Sequence, residues 1–169
     1  MAIRKIVYLP EEVLRRKAKK VTSFDADFQT LVDDMIDTMR DAPGVGLAAP
    51  QVGESLRLVV VEYGEGEEDD APKKLYVLVN PEFIQHSEEM EDGVEACLSV
   101  PGLAGEVSRW KRVLVKAQNR RGQTVKIRAA GWLARIFQHE IDHLDGIIFT
   151  DRAAKVWQPT ADEADLLRD

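Results

Sequence analysis

The apolar positions along the chain change period several times, and each change predicts an element. Phe28, Leu31, Val32, Met35, Ile36 and Met39 recur at helical spacing, so a helix is predicted over Asp25–Arg40 with one apolar stripe turned to a core. An earlier helix is predicted from Pro10 to about Lys19, because Pro sits early and Glu11 and Glu12 fall in its first turn. The β-branched run Leu56–Tyr63 reads as a strand, as does Leu75–Val79, which Asn80-Pro81 should end. Between them Gly64–Lys74, with Glu65, Glu67, Glu68, Asp69 and Asp70, reads as a solvated loop. Further strands are predicted near Val94–Ser99, Arg112–Gln118 and Thr124–Ala129, with a turn at Arg120-Arg121-Gly122-Gln123 joining the last two. Gly131–Leu144 reads as a helix stopped by Asp145-Gly146, and the tail from Asp151 should add at most a turn or two. Helices early, strands in the middle and a late helix predict an α+β fold, mainly antiparallel, in a single domain over residues 1–169.

Composition narrows the class. The chain has 169 residues, 44% hydrophobic and 31% charged, the profile of a globular domain with a real core. Its formal net charge of -7 argues against a dedicated nucleic-acid binder, and no nucleic-acid motif is present. No apolar run reaches membrane-span length, so no membrane association is expected. Residues 1–8 hold no apolar core of a signal peptide, and Glu11 and Glu12 come too early for a transit peptide, so a cytoplasmic protein is expected. Cys97 is the one cysteine, which rules out an intrachain disulfide. A lone cysteine is more often a small buried hydrophobe than a reactive group.

The late helix contains chemistry. His139-Glu140-Ile141-Asp142-His143 is an HExxH sequence. Two His at i and i+4 stand one above the other and can reach one metal ion. Glu140 lies about 100° around the helix, close enough to handle a proton without being a ligand. The chain has 3 His, and two of them fall at this spacing, which favours a catalytic pair over a fortuitous one. A catalytic site of this kind needs three protein ligands and one open position. His86, Cys97 and downstream acids are candidates for the third. The extended HExxHxxGxxH pattern fails, because Phe149 stands at its third His position. A His-His-Glu site would need Glu163, which lies in a charged segment near the end of the chain, a poor place for a rigid ligand. Cys97 is the best third ligand by chemistry, since a thiolate suits borderline divalent metals.

Three segments together resemble the peptide deformylases. They are Gly44-Val45-Gly46-Leu47-Ala48-Ala49-Pro50-Gln51, Glu95-Ala96-Cys97-Leu98-Ser99-Val100-Pro101 and Gln138-His139-Glu140-Ile141-Asp142-His143-Leu144. They match the family hallmarks GxGxAAxQ, EGCxS and QHExDH in order and at comparable separations. One position departs, Ala96, where the family usually has Gly. The resemblance implies antiparallel sheets packed around a central helix that bears the motif. It implies Cys97, His139 and His143 as metal ligands, Glu140 as general acid/base, and Gln51 with the Leu98 N–H as oxyanion donors. The metal implied is one divalent ion, most often Fe2+, with Ni2+, Co2+ or Zn2+ as substitutes. The substrate implied is the N-formyl group of formylmethionine on peptides or nascent chains, with transient contact to the ribosome. Residues three, four and seven before His139 share its helix face. Ile136, Arg135 and Trp132 are therefore candidates for substrate binding, as are Gly44, Val45 and Gly46, which can add the peptide as a strand. The competing readings are a small HExxH zinc peptidase and a non-catalytic metal-stabilised binding module.

Overall fold

The computed structural model describes residues 2–64 and 72–166. The acidic positions 65–70 of the predicted loop lie outside the described residues.

The strands are β1 (Gly46–Ala48), β2 (Leu58–Tyr63), β3 (Lys74–His86), β4 (Met90–Cys97), β5 (Val100–Trp110), β6 (Arg112–Gln118), β7 (Thr124–Ala130) and β8 (Lys155–Trp157). The helices are α1 (Ala26–Asp41), α2 (Gly131–Leu144), α3 (Phe149–Arg152) and α4 (Ala161–Leu166). A 5-stranded sheet has the order β1-β2-β3-β6-β7, and a 3-stranded sheet has the order β4-β5-β8. Every pair in both sheets is antiparallel. The fold is α+β.

The larger sheet is covered on both faces near β2, and the period-2 side-chain alternation shows how. Leu58 and Val60 pack with Phe28, Leu31, Met35 and Met39 of α1. Val59 and Val61 face the other way and pack with Leu133, Ile136, Phe137 and Ile141 of α2. A strand buried on both faces reads as a continuous apolar run, which is why Leu58–Val61 is apolar throughout. α1 starts on Asp25, whose side chain accepts from the Phe28 N–H at 3.0 Å, a standard N-cap.

Two predicted elements changed. The helix expected from Pro10 to Lys19 is reduced to a single 3-10 turn at Glu12–Arg15. Arg16 is already extended, and the backbone beyond it is claimed by tertiary partners: Ala18 N–H bonds Leu144 O at 2.7 Å and Lys19 N–H bonds Ser55 O at 3.0 Å. β3 also runs on past Asn80-Pro81 to His86. The ladder shifts register between Val79 and Glu82, so the missing N–H of Pro81 falls in a bulge, where it breaks no ladder bond. Asn80 takes φ 50 there, and its side chain bonds Val21 N–H and Val21 O.

Candidate metal centre

α2 is buried from Leu133 to Leu144, and Arg135, Gln138, His139, Glu140, Asp142 and His143 are among those residues. Burying so many polar groups is costly unless each has a partner. The partners come from the smaller sheet.

Cys97 ends β4, and a two-residue turn, Leu98-Ser99, leads to its register partner Val100 in β5. The hairpin sets the thiol against α2. The ligand atoms of Cys97, His139 and His143 all lie within 4.8 Å of one another, and all three residues are buried. His143 Nε2 stands 3.4 Å from Cys97 Sγ. Burial above all, with the Arg109 and Arg15 charges nearby, holds the His143 imidazole well below its ordinary pKa, so it is neutral and has a lone pair to give. One thiol and two imidazoles, with no fourth protein ligand among the described residues, fit a borderline divalent metal with an exchangeable position.

Glu95 orients this set. Its Oε1 lies 2.8 Å from His139 Nδ1, while Arg109 grips both oxygens at 2.8 and 2.9 Å and Arg135 Nη1 reaches Oε2 at 2.6 Å. Burial alone would push the carboxyl up. The hydrogen bonds from Arg109 and His139, with the Arg109 charge, overcome that and hold Glu95 far below the usual carboxylate range. An ionised carboxylate only accepts, so His139 carries its proton on Nδ1 and keeps its Nε2 lone pair for the metal. Arg109 also donates to Asp142 at 2.6 Å, and Arg152 closes on the same carboxylate at 2.7 Å. The cluster is an alternating set of buried charges.

Glu140 is buried beside the ligands, its Oε1 3.6 Å from His139 Nε2. Gly46 makes room for it. A Cβ on Gly46 would stand 2.8 Å from Glu140 Cγ, so β1 and the Glu140 side chain approach through a bare backbone. Gln51 is also buried. The Ala48 N–H donates to its Oε1 at 3.0 Å, which fixes the amide and turns Nε2 towards Ser99 Oγ (3.2 Å) and Cys97 Sγ (3.6 Å). Leu98 sits half-buried in the turn beside the thiol and packs towards the α1 core. Ala96 lies in the β4 ladder opposite Ala104, and Asn80 is the only non-glycine with positive φ among the described residues, so the methyl group meets ordinary extended backbone.

The other predicted residues divide. Ile136 and Val45 pack in one cluster. Trp132 is 45% exposed at the start of α2, with the Arg135 guanidinium 5.6 Å from its ring centre. Arg135 itself is turned to the smaller sheet. It bonds Glu95, Val107 O and Glu91 O, and a Cβ on Gly93 would collide with it at 2.7 Å. The other third-ligand candidates are elsewhere: His86 stacks on Trp110 at 3.9 Å, and Glu163 bonds Thr160. Sequence reasoning missed the roles of Arg109 and Glu95. Glu95 stood inside a motif segment, two residues before Cys97. Arg109 had no local signal, being one Arg in a strand that was itself not predicted.

Comparison with known proteins agrees with this geometry. The family model described as polypeptide deformylase matches residues 3–158. A peptide deformylase of Symbiobacterium thermophilum is 51% identical over 165 residues, covering 98% of this chain and 73% of that protein. The crystal structure of peptide deformylase from Thermotoga maritima superposes with a TM-score of 0.84 at 41% identity, over 92% of this chain and 100% of that one. A class I type b peptide deformylase from Acinetobacter baumannii, solved bound to Met-Ala-Ser, gives a TM-score of 0.82 at 38% identity, over 89% and 98%. With a family model matched over residues 3–158, a matching fold and a buried Cys-His-His cluster built on one helix, the chain belongs to the polypeptide deformylase family.

Proposed function

We propose that Cys97, His139 and His143 hold one divalent metal ion, natively iron(II), around which the chain hydrolyses the N-formyl group of formylmethionine on new polypeptides and releases formate. The observation that carries this reading is the ligand cluster, three donor atoms within 4.8 Å of one another beside a buried carboxylate that is not one of them. When bound, the metal supplies Lewis acidity that lets a hydrolytic water ionise near neutral pH.

The chain's own groups do the rest. Glu140 accepts the water's proton at its carboxylate and passes it to the leaving amine. The Gln51 amide N–H and the Leu98 N–H donate to the formyl oxygen as it gains negative charge. Gln51 needs no rotation for this, because the Ala48 N–H already holds its other end. β1 is an edge strand, and Gly44–Val45–Gly46 accept the peptide backbone alongside it as an added strand. Glu140 lies directly against Gly46, so the same strand that aligns the peptide sets it under the base. Ile136 and Val45 form the wall for the methionine side chain, and Trp132 forms its rim. Arg135 serves substrate binding through the posture of α2, which it ties to Glu95. The protein works in the cytoplasm and meets nascent chains transiently at the ribosome.

The test is formate release from formyl-Met-Ala-Ser under anaerobic conditions with iron(II) or nickel(II) restored. Glu140→Gln should lower kcat about 10²- to 10⁴-fold while metal content is unchanged. A folded, metal-loaded wild type that releases no formate, or that cleaves unformylated peptides instead, overturns the reading.

A further inference from the structure

We propose that the outer face of the five-stranded sheet, with the basic segment running beside it, is a docking surface for the phosphodiester backbone of RNA. Residues 15–20 read Arg-Arg-Lys-Ala-Lys-Lys in a chain whose net charge is -7. Arg15 and Arg16 are answered by Asp151 and Glu12. Lys17 and Lys20 are exposed and make no ion pair among the described residues. The segment is fastened to the sheet, because Asn80 bonds Val21 N–H at 2.8 Å, Val21 O at 2.9 Å and Gln118 Oε1 at 2.7 Å. Lys17 and Lys20 therefore face Lys116, Gln118 and Thr124 across a cleft of about 810 Å³.

The sheet wall of this cleft breaks a local rule. Lys116 pairs directly with Lys126 across β6 and β7. Like charges placed opposite one another destabilise a ladder. Arg128 lies two residues further along β7, on the same face. Lys116, Lys126 and Arg128 are exposed and, among the described residues, unpaired with any acid. Scarcity of acids is not the cause, since the chain has 30 Asp and Glu against 23 Lys and Arg. Several cations elsewhere are answered, as in Arg40–Glu62, Arg109–Glu95 and Arg120–Asp33, and what sets this face apart is the clustering of unanswered ones around one cleft. Of the two acids in the cleft, Asp145 is held by Arg57, and Glu82 stands opposite Lys116 without an ion pair. Net charge opposes polyanion binding, but the local distribution decides where binding can occur.

Shape selects among polyanions. Cations on two walls of a groove suit a strand lying along it, with a phosphate row between the walls. A membrane surface is flat and would favour exposed apolar anchors, and no large exposed hydrophobic residue lines the cleft. The choice of RNA over DNA rests on the deformylase reading, because the substrates are newly made chains and RNA is the polyanion present where chains are made. Docking here leaves the metal centre open: Val113 and Val115 of β6 face α2, and Lys116 faces away from it.

The test is fluorescence anisotropy of a labelled mixed-sequence RNA of about 20 nucleotides with metal-loaded protein, at about 50 and about 200 mM salt. Wild type should bind, and neutralising four phosphates should weaken Kd on the order of 50-fold between those salts. Lys17→Glu/Lys20→Glu and Lys116→Glu/Lys126→Glu should each weaken binding about tenfold or more at the lower salt, and the Lys→Gln pairs by less. Lys5→Glu/Lys155→Glu, of equal charge change off this face, should stay within about twofold. All variants should hydrolyse formyl-Met-Ala-Ser at the wild-type rate, which shows them folded. Binding is read without turnover, so failure of the deformylase reading would be seen separately. The proposal is overturned by absent binding in wild type, by face variants that bind like the control pair, or by equal or tighter binding of anionic phosphatidylglycerol vesicles.

Discussion

α1 and α2 cover opposite faces of the same strands, and the chemistry they bury differs. α1 turns Phe28, Leu31, Val32, Met35, Ile36 and Met39 to the sheet and leaves Ala26, Asp27, Thr30 and Arg40 to water on its other side, where Asp34 and Thr38 are covered by the N-terminal segment. α2 has no such free side from Leu133 onward, because the smaller sheet closes over it. Hydrophobic burial stabilises α1, at roughly 25 cal/mol per Å² of apolar surface. On α2, desolvation makes each charge expensive, and the site persists because Glu95, Arg109, Asp142 and Arg135 satisfy one another. A core can thus hold buried carboxylates, but only inside a complete network.

Mutations can break this contrast. Arg109→Leu should have the largest effect on stability, about 3–5 kcal/mol in urea unfolding, because it leaves two buried carboxylates short of a partner. The same change should loosen metal binding, which metal analysis after dialysis would read. Met35→Ala in α1 should cost about 2–5 kcal/mol as a cavity in an apolar core, with kcat per folded molecule unchanged. A fall in kcat there would mean that the two helices are coupled and the contrast is false. Asp25→Ala should cost about 1 kcal/mol by removing the α1 cap, visible as a small drop in Tm. The smallest effect is one of pH. The Ala2 N–H, against the opposing pull of burial and aided by Arg4, holds Asp34 on α1 below its ordinary value of 3.8. Since the folded value is the lower, this contribution is complete above about pH 4 and is lost as pH falls through the folded value. A Tm series from about pH 6 to about pH 3 should fall less steeply at its acid end for Asp34→Asn.

Much of this was legible in the sequence, for reasons that differ by element. α2 matched its predicted range, Gly131–Leu144, because a run of good helix formers ends at Asp145-Gly146. α1 matched to within one residue at each end because its period is uninterrupted. β5 was missed, since Pro101, Gly102 and Gly105 break its alternation and only the pairing with β4 and β8 reveals it. β8 was missed for the same reason, being three residues that exist as a strand only against Ala104–Glu106. At the site, the His pair was readable because helical spacing is local. The thiol was a candidate only by chemistry, and Arg109 was invisible, because their positions depend on how two sheets meet.

That dependence has a consequence for folding. His139 and His143 come within reach of each other as soon as α2 winds, but Cys97 lies 46 residues before His143 and on the other sheet. Contacts of that separation must first meet the entropy of closing the chain. A half-folded molecule therefore offers a metal two nitrogens at most, and the sulfur arrives only when the sheets dock around the helix. Ions captured early would be held weakly and exchange, while those bound after docking would lock the two sheets together. The centre thus acts as a clasp on the finished fold, with the order of assembly deciding which molecules can fasten it.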